Sequence, residues 1–240
     1  MVVAKKQLPI LIAALSGHVD MVKLLLENGV DVNCMSPYQV PTIVYAACES
    51  RNLEFVRYLI LEKKADISIA NTDGDTPLGR AVSMGHPQIV RFLLEHRAPH
   101  VPNNQGVYPI HLAAAFNRTA ELEILLSFEI DVNIHHPASR RTPIWWAAYS
   151  GSIHALDILV QHGGDVNMAD AWGQTPVFIA AINNLPDVLQ KLLGLGADPS
   201  IATEDGVTPL GVASEKGFAG TVDILTEYEK GSTARTLAES

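Results

Sequence analysis

The chain of 240 residues carries 17 Lys and Arg against 26 Asp and Glu, a formal charge of −9 at pH 7. An acidic surface repels phosphate groups, so we expect no nucleic-acid partner. No apolar run approaches the ~18 residues that a membrane-spanning helix needs, and the two cysteines, Cys34 and Cys48, do not form a disulfide framework. These features favour a protein of the cytoplasm or nucleus that does not insert into a membrane.

A threonine-proline pair, or a near relative of it, recurs at a steady interval along the chain. The clear copies are Thr76-Pro77, Thr142-Pro143, Thr175-Pro176 and Thr208-Pro209, and the weaker ones are Leu8-Pro9, Pro41-Thr42 and Tyr108-Pro109. The second residues of these pairs stand at positions 9, 42, 77, 109, 143, 176 and 209, so the steps are 33, 35, 32, 34, 33 and 33 residues. A period of this size indicates a repeat protein in which each unit packs on its neighbours.

Each unit is predicted to form a helix, a turn, a second helix and a hairpin. Proline in a first helical turn loses no hydrogen bond, and the threonine before it can cap the helix. A small pair such as Ala147-Ala148 lets neighbouring helices approach closely, and Gly151 after it supplies the left-handed backbone that ends a first helix. The apolar run 90–94 is typical of a second, amphipathic helix, and the Asp, Asn and Gly residues that follow such runs favour turns.

We expect one domain, whose seven repeats cover in chain order approximately residues 4–35, 36–70, 71–102, 103–136, 137–169, 170–202 and 203–230. Lys5-Lys6 and the apolar residues after them resemble a short signal peptide, but they also fit the repeat register, which we favour. Residues 231–240 are predicted to open a partial eighth repeat, with Thr233-Ala234 in the place of Thr-Pro and a first helix at 237–239. A C-terminal cap and a disordered tail are the alternatives.

These offsets resemble the ankyrin repeat, whose pattern combines a hairpin turn, Thr-Pro-Leu-His-x-Ala-Ala, a glycine and an apolar helix. The resemblance extends from about residue 4 to 230 and implies an all-α fold, a solenoid of stacked helix-turn-helix units with hairpin loops. The motif histidine survives as His111, and Lys64, Arg97 and Glu129 replace the glycine after the second helix in repeats 2 to 4. A non-glycine residue with left-handed backbone costs roughly 1–2 kcal/mol, so we expect repeats 2 to 4 to be the least regular and least stable.

Proteins of this family bind partners on a concave face formed by hairpins and first helices, and the resemblance assigns side chains to that face. The partner-binding candidates are Phe116, Arg141, Trp146, Tyr149, Trp172 and Gln174 in repeats 4 to 6, with Tyr38, Tyr45 and Arg80 in repeats 2 and 3. Aromatic residues and Arg are typical of interface centres. The alternative is packing within the fold, and at most one of the adjacent Trp145 and Trp146 is expected to point fully inward.

The charge is uneven along the chain. Residues 121–240 hold 16 Asp and Glu against 6 Lys and Arg. An acidic surface favours a basic partner and speeds its encounter. The alternative is that the charge only keeps a long repeat protein soluble.

No motif predicts catalysis, a metal or a cofactor. The pairs His135-His136 and His96 with His100 lack a cysteine or carboxylate at zinc-site spacing. The glycines of Gly194-Leu195-Gly196 follow a helix, whereas a phosphate cradle needs glycines that open one. We therefore predict a protein that is not an enzyme and takes no cofactor or metal.

Three asparagines are candidate hydroxylation sites. Asn33, Asn133 and Asn167 end Asp-Val-Asn hairpins that resemble substrates of an asparaginyl hydroxylase of animal cells. A turn asparagine that satisfies backbone groups is the simpler alternative.

The sequence thus predicts a monomeric, non-enzymatic interaction module that binds a protein or peptide on a preformed concave face, where little ordering entropy is lost. Three alternatives stay open. They are a regulatory region of a larger channel, kinase or ubiquitin-ligase adaptor, an enzyme with an unrecognised site, and a mechanical spacer, which would lack an exposed aromatic patch.

Overall fold

The computed structural model describes residues 2–34 and 42–238, which divide into two compact units. Unit 1 comprises residues 1–112 and 123–130, and unit 2 comprises residues 113–122 and 131–240. The described residues form helices and turns, and no strand is found among them. The expectation of an all-α protein is confirmed.

Unit 1 contains the helix pairs of repeats 1 to 3. Its first helices pack side by side, α1 on α3 and α3 on α5, and α4 packs on α6 among the second helices. The bounds are α1 Val2–Leu15, α2 Val19–Glu27, α3 Ile43–Ala47, α4 Leu53–Arg57, α5 Pro77–Met84 and α6 Pro87–Glu95.

Unit 2 repeats this arrangement with repeats 5 to 7, and α7 Pro109–Ala115 and α8 Thr119–Ser127 of repeat 4 are divided between the units. The bounds in unit 2 are α9 Pro143–Ser150, α10 Ile153–Gln161, α11 Pro176–Ile182, α12 Pro186–Gly194, α13 Pro209–Glu215 and α14 Ala219–Ala238. First helices α9, α11 and α13 pack in one layer and second helices α10, α12 and α14 in another. The alanine pairs Ala147-Ala148 and Ala180-Ala181 are fully buried, as close helix packing requires.

Threonine caps begin the first helices of repeats 2, 3, 5, 6 and 7, and the sequence predicts all of them except Thr42. The hydroxyls of Thr42, Thr76, Thr142, Thr175 and Thr208 each accept a hydrogen bond from the backbone N–H three residues later. Proline follows as the first helical residue in repeats 3, 5, 6 and 7. Each cap satisfies one backbone donor that the helix leaves open, which stabilises it by about 1 kcal/mol.

Left-handed residues end the second helices of repeats 1 to 6, and repeats 2 to 4 use no glycine there. Gly29, Gly163 and Gly196 have φ values of 81°, 86° and 89° at this position. Lys64, Arg97 and Glu129 hold φ values of 57°, 64° and 58°. The left-handed backbone predicted for these three residues is confirmed.

Repeat 2 contains a further irregularity in its second helix. Helix α4 continues directly into a π-helical turn, Tyr58–Glu62, in which Lys63 N–H donates to the Tyr58 carbonyl. The Ala65 N–H then donates to Leu59 O, six residues back, whereas Ala98 in repeat 3 donates to Leu93 O, five residues back. Repeat 2 therefore holds one extra residue, and the wider π turn accommodates it.

The structure corrects the repeat register in repeat 2 by one residue. Thr42 is the N-cap and Ile43 the first helical residue, so Ile43, and not Thr42, is equivalent to Pro77 and Pro143. Tyr45 therefore occupies the motif-histidine position that Trp145 holds in repeat 5. The order of the pair Pro41-Thr42 is the reverse of Thr-Pro, and for this reason the sequence-based register of repeat 2 is wrong by one residue.

Both ends of the chain also differ from the sequence-based expectation. Helix α1 begins at Val2, so Pro9 lies inside it and not in its first turn. Helix α14 runs unbroken from Ala219 to Ala238, so no turn separates residues 231–238 from repeat 7. The partial eighth repeat is therefore not formed within these residues, which extend the last second helix. Gly231 does not end the helix, because glycine inside a helix costs only about 1 kcal/mol relative to alanine.

Candidate functional site

The hairpin of repeat 6 holds a buried carboxylate. Oδ1 of Asp170 accepts hydrogen bonds from the N–H groups of Trp172 and Gln174, both at 3.0 Å, and so shapes the turn. Asn71, Asn103 and Thr203 support the equivalent hairpins with neutral oxygens. Asp170 is 3% exposed, and its Oδ2 lies 3.6 Å from Nε of Arg141 in the hairpin of repeat 5. Because a buried carboxylate is costly without a nearby cation, the position of Asp170 requires Arg141 beside it.

Arg141 lies between two indole rings. Its guanidinium carbon is 4.0 Å from the ring centroid of Trp145 and 5.3 Å from that of Trp172. Trp145 is buried and stacks on Tyr149 at 5.4 Å with an interplanar angle of 11°. Such guanidinium–indole contacts are worth about 0.5–2 kcal/mol each, more when water is excluded. The Arg141 contacts therefore hold Trp172 and the Trp145–Tyr149 pair in a defined arrangement.

An exposed aromatic surface results, and we use that term for Trp146, Tyr149 and Trp172. Tyr149 and Trp172 are each 52% exposed, and Trp146 is half-buried with its ring 5.8 Å from that of Trp145. One of the two adjacent tryptophans thus points into the core, as the sequence indicates. Phe116, just after α7, is also exposed, and Gln174 is half-buried at the foot of the repeat-6 hairpin.

The candidates in repeats 2 and 3 are placed differently. Tyr45 is 6% exposed, so it is a core residue and the expectation that it contacts a partner is wrong at this position. The Arg80 guanidinium lies 5.7 Å from the Tyr45 ring, and its Nε and Nη2 bind Oε1 of Glu49 at 2.9 and 2.8 Å. Arg80 is therefore tied to its own unit by an ion pair. Tyr38 lies outside the described residues.

The hairpin asparagines bridge neighbouring repeats. Oδ1 of Asn33 accepts from Asp66 N–H at 2.8 Å, Oδ1 of Asn133 from Asp165 N–H at 2.9 Å, and Oδ1 of Asn167 from Asp198 N–H at 2.8 Å. These bonds give the asparagines a structural role at each junction. Hydroxylation at these residues stays a prediction.

Among the described residues, the largest pKa shifts belong to two buried thiols and one partly buried histidine. Burial raises the pKa of the Cys34 thiol to about 11, and burial also raises the pKa of Cys48, so both thiols stay protonated and weakly nucleophilic. Burial lowers the pKa of His100 to about 4, and its Nε2 accepts from Ile110 N–H at 3.3 Å. Within residues 2–34 and 42–238, no group of three His, Cys, Asp or Glu is arranged to hold a metal ion.

A surface cleft of about 490 Å³ in unit 1 is lined by Arg51, Leu53, Gly85, His86, Pro87, Gln88 and Ile89. It brings no carboxylate or thiol to face His86 among the described residues. Along the described part of the chain, no helix is both long and apolar enough to cross a membrane.

Paired helices stacked in two layers, joined by hairpin loops, define a repeat protein. The family described as ankyrin repeats, in three copies, matches residues 10–104, 43–136, 95–170 and 162–236. The chain belongs to the ankyrin repeat family.

Relatives and solved structures agree with this assignment. The ankyrin repeat protein nuc-2 of Neurospora crassa is 30% identical over 166 residues, which cover 68% of this chain and 15% of that protein. The palmitoyltransferase AKR1 of Lachancea kluyveri is 31% identical over 174 residues, which cover 68% of this chain and 23% of that protein. The chain therefore spans less than a quarter of either relative.

The ankyrin repeat domain of human ASB11 superimposes with a TM-score of 0.76 at 26% identity, covering 85% of this chain and 91% of that one. The ankyrin repeat domain of Bcl-3 superimposes with a TM-score of 0.75 at 25% identity, covering 91% and 97%. The ankyrin fold is generally a non-enzymatic module for protein interaction, and this chain has that architecture.

Proposed function

We propose that the chain binds a protein or peptide partner through the aromatic surface of repeats 5 and 6. The observation that carries this proposal is the exposure of Tyr149 and Trp172 on a rigid support. Both side chains are half exposed, while Trp145 stacks on Tyr149, and Arg141, paired with the buried Asp170, lies against the rings of Trp145 and Trp172. Rigid aromatic anchors of this kind dominate binding energies at interfaces.

The same observation argues against a spacer. A spacer gains nothing from exposed tryptophan and tyrosine, which cost solubility when they lie together. Because Arg141 and Trp145 already restrict these rings, little side-chain entropy is lost when a partner covers them. The surface is therefore suited to binding as it stands.

The test compares three forms of the full chain as bait for quantitative mass spectrometry. The double variant Trp172→Ala/Tyr149→Ala is expected to lose at least about tenfold of the specific capture, since aromatic anchors contribute about 2 kcal/mol or more. The matched control is Tyr228→Ala, which removes an exposed aromatic ring from α14 in the same unit. Circular dichroism of all three forms measures helicity.

A protein captured equally by the native chain and Tyr228→Ala, but lost by the double variant at unchanged helicity, supports the proposal. Equal capture by all three forms contradicts it. Loss of helicity in the double variant indicates that these rings serve packing instead.

A second proposal concerns the context of the module. The relatives nuc-2 and AKR1 are several times longer than this chain, and a tyrosine-protein kinase, Shark of Drosophila melanogaster, matches at 31% identity over 16% of its length. These matches support a regulatory ankyrin region within a larger protein. Sequencing the full transcript tests it, and a stop codon directly after Ser240 together with an initiation site at Met1 would contradict it.

A further inference from the structure

We infer that the partner of the aromatic surface is a basic peptide segment that carries an apolar anchor residue beside a lysine or arginine. The apolar residue meets Tyr149 and Trp146, and the cation lies at Trp172 beside Glu204 and Asp205. This inference rests on the proposed function and adds the chemistry of the partner.

Backbone hydrogen bonds join the hairpins of repeats 5, 6 and 7 in a row. Ala171 N–H donates to Ser139 O at 2.8 Å, and Glu204 N–H donates to Trp172 O at 3.2 Å. Gly173, with φ +75°, permits this approach, because a Cβ there would lie 2.7 Å from the Glu204 nitrogen. Glu204 is therefore held next to Trp172 by main-chain contacts, and Asp205 follows it.

The positive charge at the aromatic surface is already compensated. Arg141 lies between two indole rings with its Nε 3.6 Å from the buried Asp170 carboxylate. Arg141 thus offers little attraction to an acidic partner. Its partial burial distinguishes it from the carboxylates of repeat 7, which stay in contact with solvent.

The hairpin of repeat 7, next to Trp172, carries exposed negative charge. Glu204, whose N–H donates to Trp172 O, and Asp205 after it are both exposed in the hairpin of repeat 7. Arg140 is exposed in the hairpin of repeat 5. The exposed side chains along the row of hairpins are therefore positive in repeat 5, aromatic in repeat 6 and negative in repeat 7. A bound segment is thereby oriented with its cationic residue toward repeat 7.

A cation over an exposed indole face gains a further contact. The ring of Trp172 is half exposed, and carboxylates next to an indole favour lysine or arginine at that place over a neutral side chain. An apolar neighbour in the same peptide covers Tyr149 and Trp146, whose burial provides most of the affinity. The two parts together select for adjacent apolar and basic residues.

The experiment selects a random peptide library, displayed on phage, against the full chain and then measures synthetic copies of the enriched peptides by fluorescence polarisation. Three variants are compared: Trp172→Ala/Tyr149→Ala, Glu204→Lys/Asp205→Lys, and Asp223→Lys/Glu227→Lys. The last is the matched control, because it changes the net charge equally on exposed positions of α14.

Enriched peptides are expected to carry Lys or Arg next to an aromatic or large aliphatic residue. Their affinity falls about tenfold or more in Glu204→Lys/Asp205→Lys and changes little in the control, and the loss is smaller at high salt. Enriched peptides without an excess of Lys or Arg, or with equal affinity for the charge-reversed variant and the control, overturn the inference.

The two proposals fail in different ways. Neutral or acidic peptides that still depend on Trp172 and Tyr149 overturn the basic partner and leave the aromatic surface as the binding site. Peptides that bind Trp172→Ala/Tyr149→Ala as well as the native chain, or the absence of any enriched peptide, overturn both.

Discussion

Three exposed residues hold the backbone conformation that glycine adopts at the same place in other repeats. Lys64, Arg97 and Glu129 have φ values between 57° and 64° and exposed side chains. The left-handed conformation costs a non-glycine residue roughly 1–2 kcal/mol. Glycine avoids that cost but loses about 0.4–1 kcal/mol to the greater freedom of the unfolded chain. The first term is the larger, so glycine is the better residue at each position.

We therefore expect Lys64→Gly, Arg97→Gly and Glu129→Gly each to raise the free energy of unfolding by about 0.5–1 kcal/mol. Urea denaturation of the full chain measures this as a higher midpoint at unchanged slope. The control is Gly163→Ala, which we expect to lower the midpoint. A Cβ at Gly163 meets nothing within 4 Å, so its effect is that of the backbone alone. A lower midpoint in the glycine variants contradicts the argument.

His100 makes stability depend on pH in a defined window. Burial lowers the pKa of His100 to about 4, and its Nε2 must stay unprotonated to accept from Ile110 N–H. The unfolded chain binds this proton near pH 6.5. The stabilising effect is complete above pH 6.5, and it is lost as pH falls from 6.5 to 4, because only the unfolded state gains the proton there.

The expected slope is up to about 1.4 kcal/mol per pH unit between pH 4 and 6.5. Unfolding free energies at several pH values, measured for the native chain and His100→Asn, isolate this contribution from the other histidines. The native chain is expected to have the steeper dependence. Parallel curves for the two proteins would show that His100 titrates normally in the folded state.

The irregular second helix of repeat 2 is explained by one inserted residue. Val56, Leu59 and Ala65 are buried like Val90, Leu93 and Ala98 of repeat 3, but the last interval is one residue longer in repeat 2. The additional residue falls among the exposed positions around Leu61. A π turn keeps the buried residues on both sides in place, which is why the insertion is tolerated.

Deletion of Leu61 is therefore expected to restore a regular helix, with a change in unfolding free energy within about 0.5 kcal/mol or a gain. The matched control deletes Glu95, which is also exposed but lies in the regular helix of repeat 3. That deletion rotates the end of α6 against its neighbours and is expected to cost about 3 kcal/mol. The urea denaturation midpoints of the two variants test this prediction. An equal loss of stability in both variants would contradict the interpretation that repeat 2 holds one inserted residue.

The sequence pattern determines most of these elements, and its failures have local causes. Thr-Pro pairs mark the first helices of repeats 3, 5, 6 and 7, where the caps are found as predicted. In repeat 2 the pair is inverted to Pro41-Thr42, so the sequence-based register is wrong by one residue there. That register therefore predicts Tyr45 on the partner-binding face, whereas Tyr45 lies in the core. A single helix, α14, replaces the predicted eighth repeat because the glycine at 231 does not end it.

At the scale of the whole molecule, the repeat pattern predicts the family and the aromatic candidates. It does not predict the contact between Arg141 and Asp170 that supports these aromatic side chains. Asp170 resembles any turn residue in the sequence. Its contact with Arg141 depends on how closely two hairpins approach, 29 residues apart in the chain. The sequence therefore predicts that Trp172 and Tyr149 are candidates for binding. It does not predict that the half-buried Arg141, paired with the buried Asp170, and the indole of Trp145 hold them.

Stability is expected to vary along the molecule, because a repeat protein approximates a sum of local terms and nearest-neighbour contacts. Repeats 2 to 4 carry the left-handed Lys64, Arg97 and Glu129, and repeat 2 the π turn as well. Amides of α4 and α6 should exchange hydrogen faster than those of α10 and α12, whose helices are followed by glycine. Mass spectrometry of exchanged peptides measures this difference.

The triple variant Lys64→Gly/Arg97→Gly/Glu129→Gly tests the cause. Exchange in α4, α6 and α8 is expected to slow by roughly twofold to fivefold, as a gain of 0.5–1 kcal/mol in each repeat implies. Exchange in α10 and α12 should stay the same, because local opening there does not involve the substituted residues. Slowest exchange throughout repeats 2 to 4 of the native chain, or equal slowing of all five helices in the variant, would show that backbone strain does not set the local stability.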